Sequence, residues 1–299
     1  MEEQRFVIEA SEAKSMAQSL GLTLAQLLPT LVKSAQPLAR VPISKFHVAA
    51  VGVGVSGRIF IGVNVEFPDL PFHHTIHAEQ FLLTNLSLNK ETHLQYFAVS
   101  AAPCGHCRQF LQEIRNASDI RLLITSESDP KFKSLSEFLS HPFGPHDLLP
   151  KHAPLLLEPR NNDLSFREIE TQSNGYNESS ISISKLKVAA LEAANDSHAP
   201  YSESPSGVAL LDSRGNVYKG SYMESAAYNP SVGPVQAAIV AFITGAGNGG
   251  GEYGELVEAV LVEKDDAVVK QEHTAKLLLS SISPHCRFNI FLCISNKKP

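Results

Sequence analysis

The 299-residue chain contains no tryptophan, three methionines and four cysteines. Cys286 and Cys293 could form a disulfide in principle, but an intracellular chain is expected to keep them as reduced core thiols. No run approaches the ~18 apolar residues of a membrane-spanning helix. The polar first residues, Met1–Arg5, are not followed by the apolar core of a secretory signal. We therefore expect a cytoplasmic protein without a membrane partner.

Basic residues are also few. Lysine and arginine number 25 against 31 aspartates and glutamates, which gives a net charge of −6, and no basic run stands out. Because nucleic-acid-binding proteins usually carry a basic patch, we expect no nucleic-acid partner. The apolar fraction of 43% is typical of a globular protein, and the length allows about two domains.

Two short stretches concentrate the residues that can bind a metal, His77-Ala78-Glu79 and Pro103-Cys104-Gly105-His106-Cys107. Zinc binds imidazole and thiolate readily, so His77, Cys104 and Cys107 are candidate ligands of one zinc ion. Catalytic zinc sites use three protein ligands and leave the fourth position open. No obvious fourth ligand accompanies these three, and Glu79 is better suited to proton transfer than to ligation. His106, between the thiols, is expected to point elsewhere.

Each stretch precedes a predicted helix. Helical composition follows Ile76, with Thr75 as the candidate N-cap, and a second helix is predicted over Cys107–Ile114. Pro103 suits a helix start because its missing N–H is not needed there. At a helix N-terminus the dipole favours thiolate over thiol, which favours metal binding.

His-Ala-Glu followed by Pro-Cys-x-x-Cys resembles the motif of the zinc-dependent nucleobase deaminases. The chain is similar to the long, two-domain cytidine deaminases over nearly its whole length. The segments that support this are Phe46, Gly62–Phe67, Thr75–Gln80, Pro103–Phe110 and Phe143–Leu148. The resemblance implies hydrolysis of cytidine and 2'-deoxycytidine to uridine and 2'-deoxyuridine with release of ammonia, in pyrimidine salvage. It also implies one Zn²⁺ per chain, a water activated by that ion, Glu79 as proton shuttle, and a homodimer.

The resemblance assigns Asn64 and Glu66 to the sugar hydroxyls of a nucleoside and places Phe46 near the pyrimidine. On a strand, residues two apart face the same side, which is compatible with a hydroxyl-binding pair. Without the motif, a solvent-facing polar strand would be the better interpretation of Asn64 and Glu66. For Phe46, stacking on the base competes with a plain core position.

Three further positions follow from the resemblance alone. The backbone N–H of Ala78 and the carbonyl of Ala102 are implied to hold the base. The stretch at Phe143 is implied to close the pocket of the neighbouring subunit, and by itself it predicts only a turn.

The remaining pattern predicts an α/β fold. Strands His47–Val55 and Ile59–Val65 form a predicted hairpin, and the order of later elements favours a mixed or parallel sheet between helices. The resemblance specifies a three-layer α/β/α sandwich that is duplicated, with a degenerate second copy and a small N-terminal helical segment. The other predicted elements are helices Ser11–Leu20, Thr23–Ala35, Ser134–Ser140 and Ser182–Asn195 and strands Leu94–Ala101 and Arg121–Thr125. Thr23 is the candidate N-cap of the second of these helices.

The second half repeats the first faintly, which suggests catalytic domain 1–154, linker 155–181 and non-catalytic domain 182–299. Gly220 and Glu224 are spaced like Gly62 and Glu66, and Gln236-Ala237-Ala238 falls within a residue of the expected place of His-Ala-Glu. No Cys-x-x-Cys follows, and the remaining cysteines, Cys286 and Cys293, are expected to be reduced thiols. The glycine-rich stretch Gly245–Gly251 follows a helix, so a flexible loop is favoured over a phosphate site.

Three alternatives remain at this point. A polynucleotide deaminase would share the zinc motif but should show basic or aromatic surface segments. A deoxycytidylate deaminase would need a phosphate-binding residue near the sugar, where Glu66 would repel phosphate. A zinc-structured scaffold without activity would need a fourth ligand.

Overall fold

Residues 5–167, 178–245 and 251–296 are described by a computed structural model of the chain. The chain divides into two compact units. The first holds the described residues up to Glu158 together with Ser225–Pro230, and the second holds all other described residues. Within the described residues, no helix combines the length and the apolar character needed to cross a membrane.

The sheet of the first unit contains six strands within residues 5–167, in the order β1-β3-β2-β4-β5-β6. The pairs are antiparallel except β4–β5, which is parallel. The predicted mixed sheet is therefore confirmed, as is the hairpin of β2 and β3. The strands are β1 (Val7–Ile8), β2 (Ala49–Gly54), β3 (Ile59–Val63), β4 (Leu94–Val99), β5 (Arg121–Ile124) and β6 (Lys133–Ser134).

Helices cover both faces of this sheet. Helix α2 packs on β2 and β4, whereas α3 packs on β3 and β2. The predicted N-cap of α2 is confirmed, because the Thr23 hydroxyl accepts from Gln26 N (3.2 Å) and Thr23 N donates to Gln26 Oε1 (2.9 Å). The helices of the first unit are α1 (Ala10–Ser19), α2 (Leu24–Ala35), α3 (Ala78–Leu88), α4 (Gly105–Phe110), α5 (Leu135–Phe138) and α6 (Pro145–Leu148).

The start of α3 differs from the prediction. The N-cap is His77 and not Thr75. Ile76 exchanges two backbone hydrogen bonds with Val65, at 3.0 and 2.9 Å, so the chain is still extended one residue before His77. The His77 N–H then donates to Gln80 Oε1 (3.0 Å), which closes the first turn. Pairing between distant segments thus fixes where this helix begins.

The start of α4 was also predicted too late. The helix begins at Gly105 with Cys104 as its N-cap, and it ends at Phe110, after which Leu111–Glu113 forms a 3₁₀ turn. Both thiols therefore lie in the first turn, as the dipole argument requires.

The second unit repeats the layered arrangement. Its five-stranded sheet, counted within the described residues, has the order β7-β11-β10-β8-β9, and β10 and β11 are parallel. The predicted helix Ser182–Asn195 is confirmed, with an earlier start. The elements are β7 (Leu164–Ser165), α7 (Glu178–Asn195), β8 (Ser206–Asp212), β9 (Val217–Ser221), α8 (Pro234–Gly245), β10 (Leu256–Lys264), α9 (Glu272–Ile282) and β11 (Arg287–Ser295).

Two glycines show that α7 and α8 cover opposite faces of the second sheet. Gly207 pairs directly with Ser221, so these two residues share a face, and Gly220 faces the other way. A Cβ added to Gly207 would lie 2.3 Å from Ala194 N of α7, whereas one added to Gly220 would lie 2.0 Å from Ala238 N of α8. The predicted three-layer α/β/α fold, present twice, is confirmed.

The predicted linker contains ordered structure where it is described. Leu155–Leu157 is buried in the first unit, and the strand Leu164–Ser165 pairs with β11. The composition of this stretch did not indicate the burial of its leucines or its pairing with β11. Residues 168–177 of the same stretch, and 246–250 of the glycine-rich stretch, lie outside the described residues. The domain limits 1–154, 155–181 and 182–299 stay a prediction.

The second unit keeps the backbone that surrounds the motif helix in the first. Met223 exchanges two backbone hydrogen bonds with Val232 (3.0 and 2.8 Å), and Gly233 N donates to Gln236 Oε1 (2.8 Å). The equivalent of the motif histidine is therefore Gly233, and that of the motif glutamate is Val235. Gln236-Ala237-Ala238 begins three positions after Gly233, so its predicted placement within one residue of the motif was wrong.

The close approach of α3 to β3 leads to a first prediction. A Cβ on Gly62 would lie 2.2 Å from the Ala78 carbonyl oxygen and 2.5 Å from Leu82 N, and backbone atoms cannot rotate away. The Gly62→Ala substitution should therefore destabilise the fold by about 1–3 kcal/mol and displace the residues at the start of α3.

The control is Gly220→Ala, which creates the same overlap against α8 in the second unit. Denaturant unfolding should show a loss of stability for both variants, whereas metal analysis should show weakened zinc binding for Gly62→Ala alone. Zinc retention by Gly62→Ala as strong as in the wild type would contradict the prediction.

Candidate metal centre and active site

The side chains of His77, Cys104 and Cys107 converge where α3 and α4 begin. Cys104 Sγ lies 3.6 Å from His77 Nδ1 and 3.7 Å from Cys107 Sγ. Cys107 Sγ lies 3.4 Å from His77 Nδ1. A tetrahedral zinc ion with bonds of ~2.3 Å to sulfur and ~2.0–2.1 Å to nitrogen separates such donors by about 3.6–3.8 Å. The three donors thus have the spacing that zinc needs.

The coordinating group has three protein members. Among the described residues, His77, Cys104 and Cys107 are the set of potential ligand atoms that lie within 4.8 Å of one another. His106 is not a member, and its ring centroid lies 5.9 Å from that of His77. Three protein donors correspond to the ligand count of a catalytic site rather than of a closed structural site.

The two thiols differ strongly in acidity. Hydrogen bonds from Cys107 and from His77 lower the pKa of Cys104 to about 3, so the exposed thiol of this pair is a thiolate. The adjacent Cys104 sulfur and burial raise the pKa of Cys107, and the hydrogen bond with Cys104 raises the pKa of His77. A group of donors that already carries negative charge attracts a cation, and binding displaces the remaining proton.

Glu79 lies beside this group without belonging to it. Its side chain is buried, with 4% of its surface exposed, and its carboxyl forms a hydrogen bond with the Cys107 thiol. Burial raises the pKa of Glu79, although the backbone N–H at the helix start partly offsets this effect. A raised pKa keeps the proton on the carboxyl to a higher pH, which favours its use as a general acid as well as a base.

A pocket of about 360 Å³ opens onto the metal donors and Glu79. Small-ligand sites range over ~300–1,000 Å³, so this pocket suits a compact molecule. All the predicted site residues except Cys107 and Phe143 line this pocket. The lining residues are Ser44, Phe46, Val48, Asn64, Glu66, Phe72, Thr75, His77, Ala78, Glu79, Ala101, Ala102 and Cys104.

Glu66 is fixed by the loop that precedes β2. Its Oε2 accepts from Ile43 N (2.9 Å) and from Ser44 N (3.0 Å). Burial raises the pKa of Glu66, but these hydrogen bonds, with one from the Ser44 side chain, outweigh burial and lower it overall. Glu66 and Asn64 lie beyond the end of β3 at Val63, and not within the strand as predicted.

Asn64 is oriented in a similar way. Its Oδ1 accepts from Val48 N (2.9 Å), and its Nδ2 donates to the Phe46 carbonyl oxygen (2.9 Å). A primary amide has a second N–H and a further lone pair, so one donor and one acceptor position remain for a ligand.

Sequence reasoning missed two of the lining residues that matter most. Phe72 has 67% of its surface exposed and lines the pocket as the exposed Phe46 does. Ser44 contacts Glu66 through both its backbone and its side chain. The signal that could have found Ser44 is the repeat itself, because Ser202 N donates to Glu224 Oε2 (3.1 Å) in the second unit.

Comparison with known proteins decides the family. Profiles of the cytidine and deoxycytidylate deaminase zinc-binding region match residues 23–122 and 135–276. The chain is 60% identical to cytidine deaminase 1 of Arabidopsis thaliana, over 98% of this chain and 99% of that protein. It is 37% identical to the cytidine deaminase of Yersinia pestis (strain Pestoides F), over 92% of this chain and 86% of that protein.

The chain belongs to the cytidine and deoxycytidylate deaminase family. Cytidine deaminase 7 of Arabidopsis thaliana is similar as well, with 50% identity over 97% of this chain and 94% of that protein. Two separate profile matches agree with the duplicated fold of this deaminase. Its cofactor is zinc, and His77, Cys104 and Cys107 are suited to hold the ion.

The donor geometry leads to a prediction about metal content. The purified deaminase should contain about one zinc ion per chain, and Cys107→Ala should lose it because two donors bind zinc far more weakly than three. The control is His106→Ala, which changes a residue between the two thiols and should keep the ion. Elemental analysis after gel filtration measures both. Loss of zinc from His106→Ala, or its retention by Cys107→Ala, would contradict the assigned ligands.

Proposed function

We propose that this chain hydrolyses cytidine and 2'-deoxycytidine to the corresponding uridine nucleosides and ammonia. The observation that carries this proposal is the content of the pocket. The same lining includes two of the zinc donors, His77 and Cys104, together with Glu79, Asn64 and Glu66. The family gives the zinc chemistry, and the relatives named above are described as cytidine deaminases.

Glu79 is the proposed proton carrier of the reaction. When bound, zinc supplies an activated water for attack on C4 of the pyrimidine. Glu79 would transfer both protons of that water in turn, the first to ring N3 and the second, from the hydroxyl added at C4, to the amino group, which departs as ammonia. Its burial supports this role, because a carboxyl shielded from solvent exchanges protons with the bound substrate rather than with bulk water. The N–H of Ala78 and the carbonyl of Ala102 are proposed to hold the base.

Asn64 and Glu66 are the proposed partners of the sugar hydroxyls. Both side chains are held by backbone groups of the loop before β2, so little conformational entropy is lost when a ligand binds. Phe46 is the proposed neighbour of the pyrimidine ring, where stacking contributes about 1–3 kcal/mol by analogy with nucleic-acid sites.

The charges of the pocket favour a nucleoside over a nucleotide. Its lining contains Glu66 and Glu79 but neither lysine nor arginine. Lys45, whose charge helps to lower the pKa of Glu66, is not a lining residue. A 5'-phosphate beside Glu66 would face a like charge, and no cationic side chain lines the pocket to compensate it.

The substrate proposal predicts the outcome of a panel of cytidine, deoxycytidine, deoxycytidylate and single-stranded RNA. Ammonia release should be rapid with the two nucleosides and absent with RNA. For deoxycytidylate, kcat/KM should fall by about 100-fold, since like-charge repulsion costs several kcal/mol and each 1.4 kcal/mol is tenfold.

Glu66→Gln tests the cause of that discrimination, because it removes the charge and keeps an oxygen for Ile43 N and Ser44 N. The ratio of kcat/KM for deoxycytidine to kcat/KM for deoxycytidylate should be smaller in this variant than in the wild type. The matched control is Glu224→Gln, which alters the equivalent carboxylate of the second unit. Rapid turnover of deoxycytidylate by the wild type would overturn the substrate assignment.

We also propose that the active form is a homodimer in which Phe143 closes the pocket of the partner subunit. Phe143 has 46% of its surface exposed, and it is not among the lining residues of the pocket in its own chain. Phe46 and Phe72 leave exposed aromatic surface at the same pocket, which a second subunit would cover. Cytoplasmic location and a place in pyrimidine salvage accompany this proposal as expectations from the sequence.

Subunit mixing tests the role of Phe143. Glu79→Gln removes the proton carrier, and Phe143→Ala removes the closing ring, so each variant alone should turn over cytidine poorly. A heterodimer purified through two different tags contains one intact site, formed by Glu79 of one chain and Phe143 of the other. Its activity should be about half that of the wild-type dimer. A heterodimer no more active than its parents would contradict closure by the partner.

A further inference from the structure

A short segment of the C-terminal half lies in the first unit. Ser225–Pro230, which we term the crossing segment, belongs to the first unit, whereas Glu224 and Ser231 on either side belong to the second. Ser225, Ala226 and Pro230 are buried, and the turn between them is closed by a hydrogen bond from Tyr228 N to the Ser225 carbonyl oxygen (2.8 Å).

One end of the crossing segment is bonded to the helix that carries His77. Gln80 Nε2 donates to the Pro230 carbonyl oxygen (2.9 Å), while Gln80 Oε1 accepts from the His77 N–H (3.0 Å). The Gln80 side chain is buried, with 3% of its surface exposed. A single amide group therefore connects the crossing segment to the backbone of a zinc ligand.

The other end is bonded to the element that carries the two cysteines. Ala226 N donates to Glu113 Oε1 (2.7 Å), and Glu113 is fully buried. Glu113 is the last residue of the 3₁₀ turn that continues directly from α4, in which Cys107 lies. Its carbonyl oxygen also accepts from Leu156 N (2.9 Å), which fixes its backbone.

We propose that the crossing segment is a brace for the zinc site, and that Gln80 and Glu113 are positioning residues through which it acts. The zinc donors come from two separate helices, so their spacing depends on how those helices are held relative to each other. A metal site needs its donors placed within about 0.5 Å. The crossing segment bonds to both elements. It gives the C-terminal half a part in zinc binding, although the cluster of donors found among the described residues comes from the N-terminal half alone.

The second unit supplies a matched comparison. Gln236 Oε1 accepts from Gly233 N (2.8 Å), which repeats the bond from Gln80 to His77 at a helix start without a metal ligand. The bond to the first backbone N–H is therefore a feature of the repeat. The bond from Gln80 to Pro230 is the one that connects the zinc site to the crossing segment.

The test is Gln80→Glu, which keeps an oxygen for the His77 N–H and replaces the donor to the Pro230 carbonyl with a second acceptor. Gln236→Glu is the control for a carboxylate at this helix position. The rate of zinc transfer to a chromophoric chelator is measured without substrate. Gln80→Glu should release zinc about 10-fold faster than the wild type, and Gln236→Glu should stay within about twofold. The visible spectrum of the Co²⁺-substituted protein should change in Gln80→Glu alone.

Glu113 provides the second arm. Glu113→Leu removes the acceptor for Ala226 N and should accelerate zinc release, whereas Glu113→Gln keeps a carbonyl oxygen there and should restore the wild-type rate. If Glu113→Leu does not fold, the comparison of zinc release between Gln80→Glu and Gln236→Glu still tests the proposal. Zinc release from Gln80→Glu at the rate of Gln236→Glu, with an unchanged Co²⁺ spectrum, would overturn the proposal.

This inference rests on the zinc site of the proposed function and not on its substrate. If the wild-type protein binds no zinc, the proposed function is contradicted. If the wild type binds zinc and the variants bind it equally well, only the proposal of the brace is contradicted.

Discussion

The proposed chemistry depends on the meeting of two helix starts, which brings three side chains suited to hold zinc to mutual distances of 3.4–3.7 Å. Neither helix defines that geometry by itself, because His77 lies at the start of α3 and the two cysteines at the start of α4. The first is fixed by the bridge between Val65 and Ile76 and by the approach of its backbone to Gly62, where no side chain fits. Glu79 lies in the first turn of α3, where its side chain is buried, and this burial raises its pKa.

Comparison of the two units distinguishes the residues that maintain the repeated fold from those proposed to take part in catalysis. The second unit keeps the hairpin, the close glycine contact, the backbone bridge and the loop-binding carboxylate, as Glu224 accepts from Tyr201 N and Ser202 N. It has Gly233 and Val235 where the first unit has His77 and Glu79, the proposed zinc ligand and proton carrier. In the first unit, the equivalent Glu66 therefore serves the fold as well as the proposed sugar site.

The hairpin and the cap of α2 could be predicted because each depends on residues close in sequence. The donor set could be predicted from two short motifs, each of which lies at one helix start. The start of α3 was mispredicted at Thr75, since a bridge between distant segments keeps the chain extended up to Ile76. Sequence patterns gave no indication of the bond from Gln80 to Pro230, which joins residues 150 positions apart. Phe72 was also missed, because a 3₁₀ turn without motif residues carries no pattern that marks a pocket wall.

The central claim is that zinc is held by two thiolates and one imidazole, with Glu79 beside the ion and not bound to it. Zinc K-edge absorption spectra of the wild type and of Glu79→Gln, recorded with their rates of cytidine turnover, test it most directly. The account predicts the same two sulfur neighbours at about 2.3 Å and the same lighter neighbours at ~2.0–2.1 Å in both proteins. It also predicts loss of turnover by about 10²–10⁴-fold in the variant. A different set of zinc neighbours, or turnover close to the wild-type rate, would contradict it.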